Sequence, residues 1–450
     1  MTKAYPGDLA NSRAIHERAR ASLPGGNTRA TVFMRPFPIY AERGEGCRVW
    51  DVDGVERIDC DNNFTALIHG HAHPAIVAAV AGQAARGLSF GMPTLSEVEL
   101  AELLCERLPA VEQVRFTNSG TEAVMMALKA ARAATGRSLI AKVEGAYHGA
   151  YDHAEVSLDP NPNAWGRLEA PESTAYAAGT PPSVLNDTLV LPFNNPAAAA
   201  ALIARHGRDL AAILVDAMPN RAGLSPATPE FLAALRKGAD DAGALVVLDE
   251  VITFRLGLGG AQGLHGLRPD LTTLGKIIGG GLPIGAVGGS VEAMSVFDPS
   301  LGKPALPHGG TFAANPMAMT AGLAAMRLLD GAAFEHLSAL GDQLRAGLTA
   351  VFASAGLPAR VNGAGSLLRV HFKAGAVVDY RSAYATPRDA AIAQAFHRGL
   401  INRGVLAGAN GLMSLSTAMR PSDVEAVVAA AGETAREIVR LGEQVEADTL

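Results

Sequence analysis

Between about Gln113 and Leu274, short continuous apolar runs alternate with longer amphipathic stretches of helical period. The runs are Gln113–Thr117, Ser138–Val143, Leu189–Pro192, Ala211–Asp216, Ala244–Asp249 and Leu271–Leu274. The stretches between them include Thr121–Ala134, Ala197–His206 and Pro229–Ala242. A strand covered on both faces has no wet face to alternate with, so it reads as an unbroken run such as Leu245-Val246-Val247-Leu248. This rhythm predicts an α/β layer with a mostly parallel sheet. Upstream, a helix is expected from Leu9 to Leu23, stopped by Pro24-Gly25-Gly26. Two strand-like pieces, Cys47–Val52 and Val55–Asp59, flank Asp53-Gly54 and predict a hairpin. From about Ala318 the pattern changes. One long helical stretch runs to Phe352, followed by strand-like Leu367–Phe372 and Leu412–Ser416 and helices over Pro387–Arg403 and Pro421–Gln444. The expected division is an N-terminal segment (1–60) packing with a smaller α+β domain (321–450), and a large domain (61–320) between them. The stretch Asp159–Pro182, rich in Pro, Asn, Ala and Gly, is expected to be a long loop.

Composition narrows the class. The chain has 450 residues, 48% hydrophobic and 18% charged, which suits an enzyme with a sizeable core. A net charge of −6 without a basic block disfavours nucleic acid as a partner. No run of 18 apolar residues is present, which argues against a membrane span. Met1–Ala10 has neither a charged leader nor an apolar stretch, so no signal peptide is expected. Cys47, Cys60 and Cys105 show no metal or disulfide spacing, which suits a reduced, cytoplasmic setting.

Five local features carry chemistry. Asn118-Ser119-Gly120-Thr121 joins a strand to a helix N-terminus, where free N–H groups, a glycine and two hydroxyls suit a phosphate; such joins also serve simply as caps. Asp249, with Glu250 and Val251, ends a buried strand, where α/β sheets bind ligands, and a carboxylate there can pair with a protonated pyridine ring; an acid in this place also caps turns. Lys276 follows an apolar strand and precedes Ile277-Ile278 and Gly279-Gly280-Gly281, neighbours that desolvate an amine and make it a Schiff-base nucleophile. Tyr147, in Tyr147-His148-Gly149, can stack on a flat ring or simply pack. Gly309-Gly310-Thr311-Phe312 can hold phosphate or merely turn the chain. Together, a phosphate cradle, an aromatic stacker, a strand-end acid and a desolvated lysine are what a pyridoxal 5'-phosphate site needs.

In this order these motifs resemble the class III aminotransferases of fold type I, over nearly the whole chain, Ala21 to Val439. The match rests on Asn118–Ala123, Tyr147–Gly149, Leu248–Val251, Leu274–Lys276 with its glycines, and Gly310–Phe312 with Asn315-Pro316. The branch it looks like contains glutamate-1-semialdehyde aminomutase, β-amino-acid aminotransferases and D-phenylglycine-type aminotransferases. The resemblance implies a seven-stranded, mostly parallel sheet, pyridoxal 5'-phosphate as cofactor and a homodimer with shared active sites. Lys276 would carry the cofactor as a Schiff base and move the substrate proton. Asp249 would keep the ring nitrogen protonated. Tyr147 and Val251 would flank the ring. Ser119, Gly120 and Thr121 would bind the phosphate, with Thr311 contributed by the neighbouring subunit. Arg29, in Gly25-Gly26-Asn27-Thr28-Arg29, would bind a substrate carboxylate through its two-pronged fork. The chain departs from the family pattern at Asp216-Ala217, where Glu-Pro is common, and at Leu406–Gly411, which lacks the proline and acid of the aminomutase lip. The expected reaction is transfer of an amino group between a carboxylated amine and a keto acid. An intramolecular amino shift of the aminomutase type and a racemase or epimerase are the alternatives.

Overall fold

In the computed structural model, which describes residues 3–447, the alternation resolves into a seven-stranded sheet. Its strands in chain order are β1 (Gln113–Thr117), β2 (Leu139–Val143), β3 (Thr188–Leu191), β4 (Leu210–Val215), β5 (Leu245–Asp249), β6 (Leu271–Gly275) and β7 (Gly285–Gly289). Their spatial order is β1-β7-β6-β5-β4-β2-β3. Only β7 runs against its neighbours β6 and β1; the other adjacent pairs are parallel. The sheet is thus mostly parallel, as expected.

Strand alternation distributes the core between two faces. Val143, Leu191, Ile213, Val215 and Leu248 pack against the helices Pro196–His206 and Pro229–Ala242. Ile140, Ala212, Leu214, Val247 and Leu271 face the helix Gly120–Thr135. Each such aliphatic side chain removed from water contributes about 1.5–3 kcal/mol.

β7 is the strand that the apolar pattern does not announce. Its sequence is Gly-Ala-Val-Gly-Gly, yet all five residues are buried. The glycines are required by close approach. A Cβ on Gly285 would sit 2.0 Å from the Ser119 carbonyl oxygen.

The expected single helix over 318–352 is two helices, Pro316–Leu328 and Gly331–Ala355. Asp330 starts the second by accepting a hydrogen bond from the Ala333 N–H at 2.9 Å. An N-cap inside a continuous apolar period breaks the helix without breaking the pattern, which is why the sequence reading bridged it.

The remaining strands form smaller sheets. Arg360–Asn362, Leu367–His371 and Leu412–Ser414 pair antiparallel. The predicted hairpin forms from Arg48–Asp51 and Glu56–Asp59. Val405–Leu406 adds to it in parallel, with Val405 opposite Ile58 and Leu406 opposite Asp59. The stretch from Asp159 to Pro182 is largely irregular and carries one two-residue hairpin, Gly166–Arg167 against Ala170–Pro171.

Candidate active site

The carboxyl ends of β1, β4, β5 and β6 gather the residues singled out in the sequence. Parallel β5 and β6 pair in a register that sets Asp249 opposite Thr273. That register brings the Thr273 hydroxyl within 3.1 Å of Asp249 Oδ1, to which the Val251 N–H also donates at 3.0 Å. His148, which follows β2, places Nδ1 2.7 Å from Asp249 Oδ2. Asp249 is therefore buried but held by three donors. Alternation turns its neighbour Glu250 away: the Glu250 carboxylate accepts from the Ala261 and Gln262 N–H groups at 2.9 and 2.8 Å, capping the next helix. Of two adjacent acids, one serves the site and the other the scaffold.

Lys276 lies just beyond β6, with a φ of 49°. A left-handed conformation costs a non-glycine residue on the order of 1–3 kcal/mol, so the surrounding structure must hold it. Burial lowers its amine to about 8, against the opposing pull of Asp249 and Asp216. Asp216 follows β4, and burial beside Asp249 pushes its carboxyl well above the usual range.

Ser119 caps the helix Gly120–Thr135, its Oγ accepting from the Glu122 N–H at 3.1 Å, which leaves the hydroxyl proton free to donate. Thr121 Oγ1 accepts from the Ala150 N–H at 3.3 Å. Gly149, at φ 90°, lies against Thr121, where a Cβ would be 2.5 Å from that Oγ1. The Val251 methyls lie 3.1–3.2 Å from where a Cβ on Gly120 would be. Tyr147 is 47% exposed, and burial, with the charges of Glu155 and Asp249, raises its hydroxyl. Thr311 is exposed on a turn, and its neighbour Gly310 lies beside Asn118.

Arg29 is exposed and does not touch these residues directly. It donates to Asn63 Oδ1 at 2.8 Å, and its guanidinium lies 5.5 Å from the Phe64 ring. Burial raises the carboxyl of half-buried Asp61, and the charges of Arg29 and Lys276 both oppose that rise.

Sequence reasoning missed the support under this arm. Asn62, Asn63, Phe64 and Thr65 all have positive φ, between 50° and 74°. Such a left-handed turn is costly for residues other than glycine. Asp59 Oδ1 accepts from the N–H groups of Asp61 and Asn62, and Arg255 donates to the Thr65 carbonyl at 2.9 Å. Arg255 also bonds Ser366 and the Leu415 carbonyl and is fully buried, and burial pushes its guanidinium down to about 9. Nothing in the local sequence announces a left-handed turn without glycine. His148 and Asp216 were visible only as part of a motif and of a departure from one.

The donor set fits pyridoxal phosphate. It comprises an amine that burial makes easier to deprotonate, an acid held as an acceptor, a helix N-terminus with two hydroxyls, and an aromatic ring.

Comparisons with known proteins agree. Residues 31–419 match the family model for Aminotransferase class-III. The chain is 40% identical over 432 residues to a glutamate-1-semialdehyde 2,1-aminomutase of Chloroflexus aurantiacus, covering 93% of this chain and 95% of that one. It is 39% identical over 433 residues to a beta-phenylalanine transaminase of Variovorax paradoxus, covering 96% and 93%. The structure of an omega-transaminase from Sphaerobacter thermophilus superposes with a TM-score of 0.94 at 50% identity, covering 97% and 99%. With its motifs, its sheet and its relatives in agreement, this chain belongs to the class III aminotransferases, enzymes that work through pyridoxal phosphate.

Proposed function

We propose that the chain moves an amino group between a carboxylated amine, of the α- or β-amino acid type, and a keto acid by a ping-pong cycle. The observation that carries the reading is the meeting of Lys276 and Asp249 at the ends of β6 and β5, beside the helix N-terminus at Gly120. Bound pyridoxal phosphate supplies an electron sink that lets a substrate Cα–H bond break and the nitrogen change partners. Lys276 would hold the cofactor through Nζ and would then be placed to move the proton at the substrate's amine-bearing carbon. The Asp249 carboxylate holds the proton on the ring nitrogen. Ser119, Gly120 and Thr121 bind the phosphate with N–H and hydroxyl donors, the role the helix end favours. Tyr147 and Val251 would hold the ring from its two faces. Arg29 pairs with the substrate carboxylate.

A homodimer with shared sites belongs to the same reading, with Thr311 completing the phosphate site of a second copy. It is supported by several large apolar side chains exposed within one short segment, Leu88 (63% exposed), Met92 (73%) and Leu95 (71%). No helix among the described residues is long and apolar enough to cross a membrane. The three cysteines are free, which favours the cytoplasmic placement.

The test is a panel of amine donors with pyruvate or 2-oxoglutarate. Donor turnover that requires the keto acid, and a half-reaction that stops after one equivalent without it, support the transferase. An amino-aldehyde turned over with no acceptor would establish the intramolecular shift instead, the reading favoured by the aminomutase relatives. Lys276→Ala is expected to lose the borohydride-reducible adduct; a mutant that still forms one, on another lysine and with turnover retained, removes Lys276 from the role.

A further inference from the structure

The Arg29 guanidinium is held at one end. Its NH1 donates to Asn63 Oδ1 at 2.8 Å, and its carbon lies 5.5 Å from the centre of the Phe64 ring. The other edge, Nε and NH2, has no hydrogen-bond partner among the described residues. A carboxylate fits such an edge, because its two oxygens take two parallel N–H donors. An unrestrained arginine loses rotamer freedom when it binds, and fixing it beforehand removes that cost from the binding step. Asn63 fixes one prong and leaves a fork open.

The amide does this from an unusual backbone. Asn63 lies at φ 50° and ψ 59°, and Phe64 at φ 54° and ψ 49°. Asparagine is one of the few residues besides glycine that visit this region. The turn is pinned on both sides. Asp59 Oδ1 accepts from the Asp61 and Asn62 N–H groups at 2.8 and 2.9 Å, and Asp61 Oδ2 accepts from the Phe64 N–H at 2.9 Å. Asn62 Nδ2 donates to the Ser414 carbonyl at 2.8 Å. Arg255, in the segment that follows β5, donates to the Thr65 carbonyl at 2.9 Å. The turn also lies against the glycine run that follows Lys276: Leu67 Cδ2 is 3.1 Å from where a Cβ on Gly281 would be. Four consecutive residues are thus held left-handed, and of their side chains Asn63 alone is fully exposed, turned to Arg29.

We propose that Asn63 is a positioning residue for the substrate carboxylate: it holds one prong of Arg29 so that the Nε–NH2 edge is preset for donors that carry a carboxylate. The proposal rests on the reading of Arg29 as the carboxylate handle, so one arm of the test needs neither substrate nor turnover.

Asn63→Gly removes the amide, and glycine is the residue most at ease at this φ, so the variant is expected to fold. Asn63→Asp keeps an acceptor in the same place. In the first arm, each protein is treated with phenylglyoxal, which adds to accessible guanidinium groups, and modification of the Arg29 peptide is followed by mass spectrometry. Arg29 is expected to react several-fold faster in Asn63→Gly, and no faster in Asn63→Asp than in the unsubstituted protein. An unchanged rate in Asn63→Gly overturns the proposal. In the second arm, kcat and KM are measured for carboxylated donors and plain amines in Asn63→Gly, Arg29→Ala and the double variant. Asn63→Gly is expected to raise KM for carboxylated donors about 3- to 10-fold, the loss of one hydrogen bond, with kcat and the plain amines changed far less. In the Arg29→Ala background the same substitution is expected to add nothing, because the two residues act as one unit. A loss that persists at full size in the double variant, or that falls equally on plain amines, means that Asn63 acts by another route and overturns the proposal. If Arg29 becomes reactive in Asn63→Gly while Arg29→Ala leaves carboxylated donors unaffected, the contact between the two side chains stands, and the carboxylate role of Arg29 fails together with the proposal built on it.

Discussion

An amine lowered to about 8 leaves roughly one-tenth of Lys276 as free base at pH 7, against far less for a solvated lysine. Only the free base attacks a carbonyl. Reconstitution of cofactor-free protein with pyridoxal phosphate is therefore expected to accelerate about tenfold between pH 6 and 7 and to level off above about 8, followed by visible absorbance in stopped flow. A rate that keeps rising tenfold per unit past pH 9 would mean that Lys276 is not desolvated. The same scale decides the substrate handle. Removing a charge-assisted pair costs about 1.5–3 kcal/mol. Arg29→Ala is then expected to lower kcat/KM for carboxylated donors by roughly 10- to 100-fold while sparing plain amines; equal losses for both would take Arg29 out of the substrate site. Residue chemistry was legible in the sequence where a motif fixes the neighbours, as at Asp249 and Lys276. It was not legible for His148 or Asp216, whose character depends on which strand ends lie beside them. Asp249 and Glu250 are adjacent acids, and only the direction of each side chain from β5 separates reagent from cap.

At the scale of elements, the apolar runs gave β2 to β6 to within a residue at each end, together with the helices Gly120–Thr135, Pro196–His206 and Pro229–Ala242, because burial on both faces favours apolar side chains. The same reasoning fails for β7. It is buried by having almost no side chains, so no apolar signal is left to read. Gly285 admits the close approach of the Ser119 carbonyl, at the loop proposed to bind phosphate. Gly285→Val is expected to push against the Ser119 carbonyl, at an overpacking cost of about 1–3 kcal/mol. Both thermal stability and pyridoxal-phosphate affinity should fall, read by calorimetry and equilibrium dialysis. An unaltered affinity in the destabilised variant would show that the loop moves independently of β7. The left-handed turn Asn62–Thr65 was unreadable for a different reason. Its strain is supported by Asp59, Arg255 and Ser414, the last two of them far away in sequence.

On the scale of the whole molecule, we read residues 61–320 as the large unit, with 1–60 and 321–450 forming the smaller one beside it; the pairing of Val405–Leu406 with Glu56–Asp59 supports joining the two ends. The shared-site dimer makes a sharp prediction. Lys276→Ala and Thr311→Ala chains, each impaired alone, are mixed after dissociation. If Thr311 serves the partner's site, each mixed dimer contains one site with both residues intact, and activity is restored to a sizeable fraction. No restoration would place Thr311 in its own chain's site. Replacing Leu95 and Met92 by Asp is expected to shift the sedimentation coefficient to that of a monomer, because it puts charge into the apolar stretch.

Sequence alone determined the α/β layering and the cofactor class, and singled out Lys276 and Asp249 as the lysine and acid of the proposed site, because burial and local chain direction leave a readable period and motif. Tertiary structure decided the rest. It chose which strand ends adjoin, so that Thr273 and His148 converge on Asp249. It also held residues such as Lys276 and Asn62–Thr65 in backbone conformations they would not adopt unaided. Proximity and strain are properties of the assembled fold, contributed by residues up to hundreds of positions apart, and no local window contains them.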